Sequence, residues 1–158
     1  MIRPATPSDV PAVFALIGEL ARYEKLELQN IGTEARLREH LFGPRPYCEA
    51  IVAEGDGDPG HVVGFALFFH NYSTFLTQPG IYLEDLFVLP SERRHGHGRE
   101  LLRAVARLAV ERGCGRFEWS VLRWNEPAIR FYEALGATPL DEWGLFRITG
   151  DALAALAR

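Results

Sequence analysis

The chain of 158 residues is poor in cysteine, with only Cys48 and Cys114, which lie far apart and without a C-x-x-C partner. That spacing excludes a disulfide framework and a cysteine-type zinc site, so both thiols are expected as small buried hydrophobes. No apolar run approaches the ~20 residues needed to span a bilayer. No basic segment followed by an apolar one opens the chain, where Met1-Ile2-Arg3-Pro4 leads straight into a helix signal. A soluble, cytoplasmic protein with no membrane partner is the expectation. There is also no lysine or arginine run of nucleic-acid type, although Arg93 and Arg94 form a local basic spot in a chain of net charge −4. Internal repeats, low-complexity tracts and long Pro/Gly/Ser linkers are missing too, which leaves one domain over residues 1–158.

What is present is ordinary globular material, 47% hydrophobic and 24% charged. Ile2 to Pro4 reads as a strand, and Thr6-Pro7-Ser8-Asp9 as a helix start with an N-cap threonine and a first-turn proline. Val10, Val13, Phe14, Ile17, Leu20 and Ala21 follow at helical spacing. Thr33 caps a second helix to about Leu41, stopped by Gly43-Pro44. Cys48 to Glu54 and His61 to Phe69 read as a hairpin, Asn71 to Gly80 as an exposed loop, and Ile81 to Leu89 as a buried strand. Leu101, Leu102, Val105, Leu108 and Ala109 mark one face of a helix ended by Gly113. Phe117 to Leu122 reads as a strand, Asn125 caps a short helix closed by Gly136, Leu145 to Thr149 gives a last strand, and Asp151 to Arg158 a terminal helix. The order β-α-α-β-β-β-α-β-α-β predicts an α/β fold, a mixed sheet with helices on both faces.

Arg93-Arg94-His95-Gly96-His97-Gly98 satisfies R-x-x-G-x-G between a strand and an amphipathic helix. Glycine has no Cβ, so the backbone can curl tightly and a pyrophosphate can reach its N–H groups at the positive end of the helix dipole. The chain has no G-x-x-x-x-G-K-[ST], and its G-x-G lacks the third glycine of the dinucleotide fingerprint, which disfavours a nucleoside triphosphate or NAD. His95 and His97 are two residues apart with no third ligand nearby in sequence. Neutral side chains facing solvent or phosphate are expected there, and no metal.

Val88, Pro90, Arg93, Gly96 and Gly98 match V-x-P-x-x-R-x-x-G-x-G, and here the sequence resembles the GCN5-related N-acetyltransferase family. IRPAT (Ile2 to Thr6), LARYE (Leu20 to Glu24), VGFA (Val63 to Ala66), YLEDLFV (Tyr82 to Val88), WNEPAIRFYEALGA (Trp124 to Ala137) and LFRI (Leu145 to Ile148) look like its diamine acetyltransferase branch. These segments run in matching order over nearly the whole chain. The resemblance implies acetyl-CoA as acetyl donor, a mostly antiparallel sheet, a homodimer, and a small-molecule amine as acceptor.

It also implies roles. Acetyl transfer to an amine needs the amine neutral, the carbonyl held and a proton for the departing thiolate. Glu84 would remove the ammonium proton, through a water, or fix the amine electrostatically. Asp85 points to the opposite face of a regular strand and shares that job only if a bulge intervenes. Tyr132, two helical turns after Asn125, would give its proton to the thiolate, although aromatic residues at this spacing also serve as core. Asn125 would cap its helix and hold the pantetheine or its carbonyl. Main-chain groups of Leu86, Phe87 and Val88 would pair with pantetheine amides as an extra strand does, and Arg93, Arg94, His95, Gly96, His97 and Gly98 would hold the pyrophosphate. Tyr23, Glu24 and Trp143 would line an acidic, aromatic slot for the amine with Glu84 and Asp85. Polyamine-acetylating relatives carry Asp-Pro-Trp where this chain has Ser73-Thr74-Phe75, which loses a carboxylate. The Tyr72-Ser73-Thr74 wording looks more like thialysine-acetylating relatives. A non-catalytic acyl-CoA sensor and a protein-lysine acetyltransferase are the competing readings.

Overall fold

Three apolar stretches set the centre of the fold: Glu49–Glu54 (β2), Val62–Ser73 (β3) and Gln78–Val88 (β4) pair antiparallel in the computed structural model, which describes residues 1–158. Val62 to Phe68 are buried without a break, as befits a strand covered on both sides. Ile2–Pro4 (β1) adds antiparallel to β2 and Arg116–Trp119 (β5) adds parallel to β4, so the sheet runs β1-β2-β3-β4-β5.

One face carries the helix Val10–Tyr23 (α1). Its Val10, Val13 and Leu16, one turn apart, are buried in a cluster with Val52, Phe65, Leu67 and Phe87, and Leu41 of the helix Glu34–Phe42 (α2) joins them. The helix His97–Glu111 (α3) covers the opposite face with buried Leu101, Leu102, Val105 and Ala109. Each fully buried aliphatic side chain contributes about 1.5–3 kcal/mol, more than a capping interaction at about 1 kcal/mol, so packing dictates this layer order. The start of α1 is nonetheless pinned. Thr6 N–H donates to Asp9 Oδ2 at 2.7 Å, and Arg3 holds the same carboxylate through two bonds of 2.7 and 2.9 Å while donating to Glu54 at 2.8 Å. Arg3 thereby keeps both the Asp9 and Glu54 carboxyls below the usual range.

The chain divides into two compact units, Met1–Ser120 and Val121–Arg158. The second contains Glu126–Ala134 (α4) and Gly150–Leu156 (α5). Asn125 caps α4, its side-chain oxygen accepting from Ala128 N–H at 3.4 Å. No helix in the chain is long and apolar enough to cross a membrane.

Two expectations are corrected. Asn71 to Gly80 is mostly not a loop: Asn71, Tyr72 and Ser73 pair with Gly80, Pro79 and Gln78, leaving only Thr74 to Thr77 as the turn. Polar side chains at a solvent-facing strand end mimic loop composition, but the backbone ladder continues through them. Leu145 to Thr149 forms no strand, so the element order ends in α4 and α5. A strand needs a neighbour to satisfy its backbone groups, and none of the four ladders includes that segment.

Candidate active site

The register of β3 against β4 is continuous from Ser73 opposite Gln78 to Phe68 opposite Leu83, and resumes with Leu67 opposite Asp85. Glu84 is the extra residue of a β-bulge. A bulge breaks the alternation of faces and re-aims the side chains beside it, which is the condition under which Glu84 and Asp85 can serve one site. Glu84 is exposed and Asp85 half-buried. The Asp85 carboxyl is pushed up to about 7, first by burial, then by the charges of Glu84 and of Glu24 at the C-terminal cap of α1. Burial pushes Glu24 up as well. Three carboxylates from β4 and the end of α1 therefore share one field, a concentration of negative charge suited to a cation. Cys48, half-buried, has its thiol pushed up by burial and by the charges of Glu49 and Glu84, which keeps it protonated and unsuited to attack.

Beyond the bulge, β4 is open on one side. Its pairing with β5 covers Gly80 to Leu83 and stops at Leu83 opposite Trp119. Leu86, Phe87 and Val88 thus lie along an edge without a β5 partner, able to pair with a further extended chain. Gly64 lets β3 approach that end of β4: a Cβ there would lie 2.8 Å from the Phe87 carbonyl oxygen and 3.0 Å from Val88 Cγ2.

After β4 the chain turns through Pro90–Glu92 into the glycine loop. Gly96, the N-cap of α3, sits at φ 87°, a left-handed value that costs an L-residue about 1–2 kcal/mol, and nothing lies within 4 Å of where its Cβ would be. Arg94 is left-handed too, at φ 69°. The Arg93 side chain is exposed but folds back on the protein: Nε donates to the Val88 carbonyl at 3.1 Å, and the guanidinium carbon lies 4.9 Å from the Tyr23 ring centroid and 5.6 Å from that of Phe87. Tyr23, expected against the amine, also packs against the Arg93 guanidinium of the loop. Arg94 and His95 are exposed. His97 departs from expectation: it is buried, 7% exposed, beside His95 and Asp56 rather than facing solvent. Sequence spacing gave no sign of Asp56, which belongs to the Gly-rich hairpin turn between β2 and β3.

In the unit Val121–Arg158, Asn125 and Tyr132 lie seven residues apart along α4 and its cap, both half-buried, and the Tyr132 ring packs against Phe131 with centroids 5.4 Å apart. Trp143 is exposed in the irregular segment before α5.

The model of the acetyltransferase (GNAT) family matches residues 17–137. The chain belongs to this family. It is an N-acetyltransferase, and enzymes of the GNAT family use acetyl-CoA as donor. Among curated proteins it is 41% identical to a thialysine N-epsilon-acetyltransferase of Bos taurus over 99% of this chain and 96% of that one. It is 37% identical to an L-ornithine N5-acetyltransferase of Arabidopsis thaliana over 98% and 86%. Among solved structures, an integron cassette protein from the mobile metagenome of V. cholerae superposes with a TM-score of 0.81 at 26% identity, covering 100% of this chain and 97% of the other. The GNAT donor fits what the residues offer: a loop with a left-handed glycine, Gly96, the start of a 15-residue helix, and a strand edge without a β5 partner leading to both.

Proposed function

We propose that this chain, acting as one domain over residues 1–158, transfers acetyl from acetyl-CoA directly to a primary amine of a small cationic molecule within a ternary complex. The observation that carries the reading is the group of carboxylates on β4 and α1, gathered by the bulge at Glu84 beside a strand edge without a β5 partner, with the Asp85 carboxyl pushed up by burial. The two curated relatives named above act, by their names, on a thialysine and an ornithine amine, so an amino acid with a short terminal amine is the proposed acceptor.

When bound, the donor supplies the activated acetyl group; the rest falls to the chain. Glu24, Glu84, Asp85 and Tyr23 make up the proposed acceptor site. The ammonium is attracted by Glu24 and Glu84, and the Glu84–Asp85 pair takes its proton. Asp85 is the member whose affinity for a proton is matched to neutral pH, and Glu84 is the charge that helps keep it there. Main-chain groups of Leu86, Phe87 and Val88 align the donor along β4, and the segment Arg93 to Gly98 holds its pyrophosphate. Asn125 orients the donor from the cap of α4, and the Tyr132 hydroxyl gives the departing thiolate its proton. Cys48, protonated as described, carries no acyl group. A homodimer is the proposed assembly, supported by the exposed Trp143, Leu145, Phe146, Leu153 and Leu156.

The test is thiol release from acetyl-CoA with a panel of thialysine, ornithine, lysine, diamines, polyamines and a lysine-containing peptide. Turnover with a short amino-acid amine is expected to exceed the others. Better use of the peptide, or no thiol release with any amine, would overturn the reading.

A further inference from the structure

Behind the glycine loop, side chains from two separate segments converge. Asp56 comes from the turn between β2 and β3, and His95 and His97 flank Gly96. One potential ligand atom from each lies within 4.8 Å of the other two. The two imidazoles meet edge to face, ring centroids 6.2 Å apart. His97 is 7% exposed, and its Nε2 is a buried polar atom without a hydrogen-bond partner. A buried nitrogen left unsatisfied costs about 1–3 kcal/mol, and its lone pair or proton has no other use in the structure.

We propose that Asp56, His95 and His97 form a binding site for a divalent transition-metal ion of the Zn²⁺ class. Two imidazole nitrogens and one carboxylate oxygen are the donor set of a three-ligand zinc site that keeps a fourth position for water. Imidazole donors favour Zn²⁺, Co²⁺, Ni²⁺ and Cu²⁺ over Mg²⁺ and Ca²⁺. Bonds of about 2.1 Å in a tetrahedron put ligand atoms about 3.4 Å apart, so the trio is assembled to within a small closure. Asp56 and His95 are exposed and free to turn inward, and Gly57, at φ 79° beside Asp56, gives that hairpin turn the flexibility to follow. Glu92 Oε2 lies 3.8 Å from His95 Nδ1. A carboxylate on that side, once it closes to hydrogen-bond distance, is the kind of outer partner that orients a metal-bound histidine. The ion would join the β2–β3 turn to the segment that starts α3.

The experiment uses the full chain freed of metal by chelation and desalting. Calorimetric titration with Zn²⁺ is expected to show one equivalent bound per chain, and Co²⁺ to give the visible absorption of a tetrahedral centre that Zn²⁺ abolishes. Asp56→Asn and His95→Gln, both at exposed positions, should each weaken Zn²⁺ binding about tenfold or more. Zn²⁺ should raise Tm in the unaltered chain and raise it less in Asp56→Asn at the same Zn²⁺ concentration. With chelator present, Asp56→Asn should turn over at the unaltered rate. Absence of one-to-one binding, or Zn²⁺ affinity unchanged in both variants, would overturn the site, since His40, His61, His70 and the cysteines would then be the binders.

Discussion

Replacing Asp85 by asparagine separates its cost to the fold from its use. The carboxyl is raised from 3.8 to about 7 in the folded chain, so the folded state holds a proton through a pH range in which the unfolded state has released it. Stability from such a group is fully present below pH about 4 and is lost as pH rises through about 7. Between pH about 5 and 8.5 the loss spans the two units from 5 to 7, at most about 2.7 kcal/mol at 1.36 kcal/mol per unit. Asp85 is half-buried, so water and salt screen the repulsion and about 1–1.5 kcal/mol is expected. Asparagine keeps the shape and cannot ionise. Urea unfolding of both proteins at the two pH values should show Asp85→Asn gaining about 1–1.5 kcal/mol relative to the unaltered chain on going from pH 5 to 8.5, about 2–6 °C in Tm. In acetyl transfer, the same variant should lose the acidic limb centred near pH 7 in kcat/KM and fall well below the parent in kcat. A stability difference independent of pH, or an acidic limb that survives, would refute the assignment of a neutral-range carboxyl to Asp85.

Tyr132→Phe should lower kcat by about 10²-fold or more, as loss of a general acid does, with acetyl-CoA affinity in equilibrium titration unchanged; full kcat on the best amine would remove the hydroxyl as proton donor. Gly64→Ala should cost about 1–3 kcal/mol, because its Cβ meets the Phe87 carbonyl oxygen at 2.8 Å; an unaltered urea midpoint would contradict that close approach. Arg93→Met should cost about 1–2 kcal/mol through the lost bond to Val88 and the lost stacking on Tyr23 and Phe87, and should weaken acetyl-CoA binding. Unchanged donor affinity would mean that the Arg93 side chain does not shape the loop.

The parts legible in the sequence were those set by neighbours along the chain. Thr6 with Asp9, Asn125 with Ala128, and Gly96 at the start of α3 each carry a local conformational rule, and the elements start where those residues say. The apolar faces of α1 and α3 were equally plain. What depended on a partner strand was not. The bulge at Glu84 arises from a mismatch between β3 and β4, and strict alternation along β4 alone puts Asp85 on the wrong side. Tyr72 and Pro79 look like loop residues until they are seen opposite each other in a ladder. Leu145 to Thr149 has the composition of a strand but no ladder to join. The contacts of Arg93 and the burial of His97 were hidden for the same reason, because R-x-x-G-x-G specifies a backbone path and says nothing about where the side chains between the glycines go.

Arg93, proposed to hold the donor's pyrophosphate, also touches the end of the helix that carries Glu24. Its guanidinium lies against Tyr23, the last residue of α1 and the neighbour of Glu24, and against Phe87, two residues past Asp85, while its Nε holds the end of β4. Under the proposed function, ordering the donor loop would also order the residues assigned to the amine, so that the ordering entropy would be spent once for both ligands. Occupancy of one site would then be registered as affinity at the other, by the same factor whichever ligand is added first. That reciprocity would make cooperativity between donor and acceptor a property of one stacked side chain, and its loss in the absence of Arg93 would be symmetric.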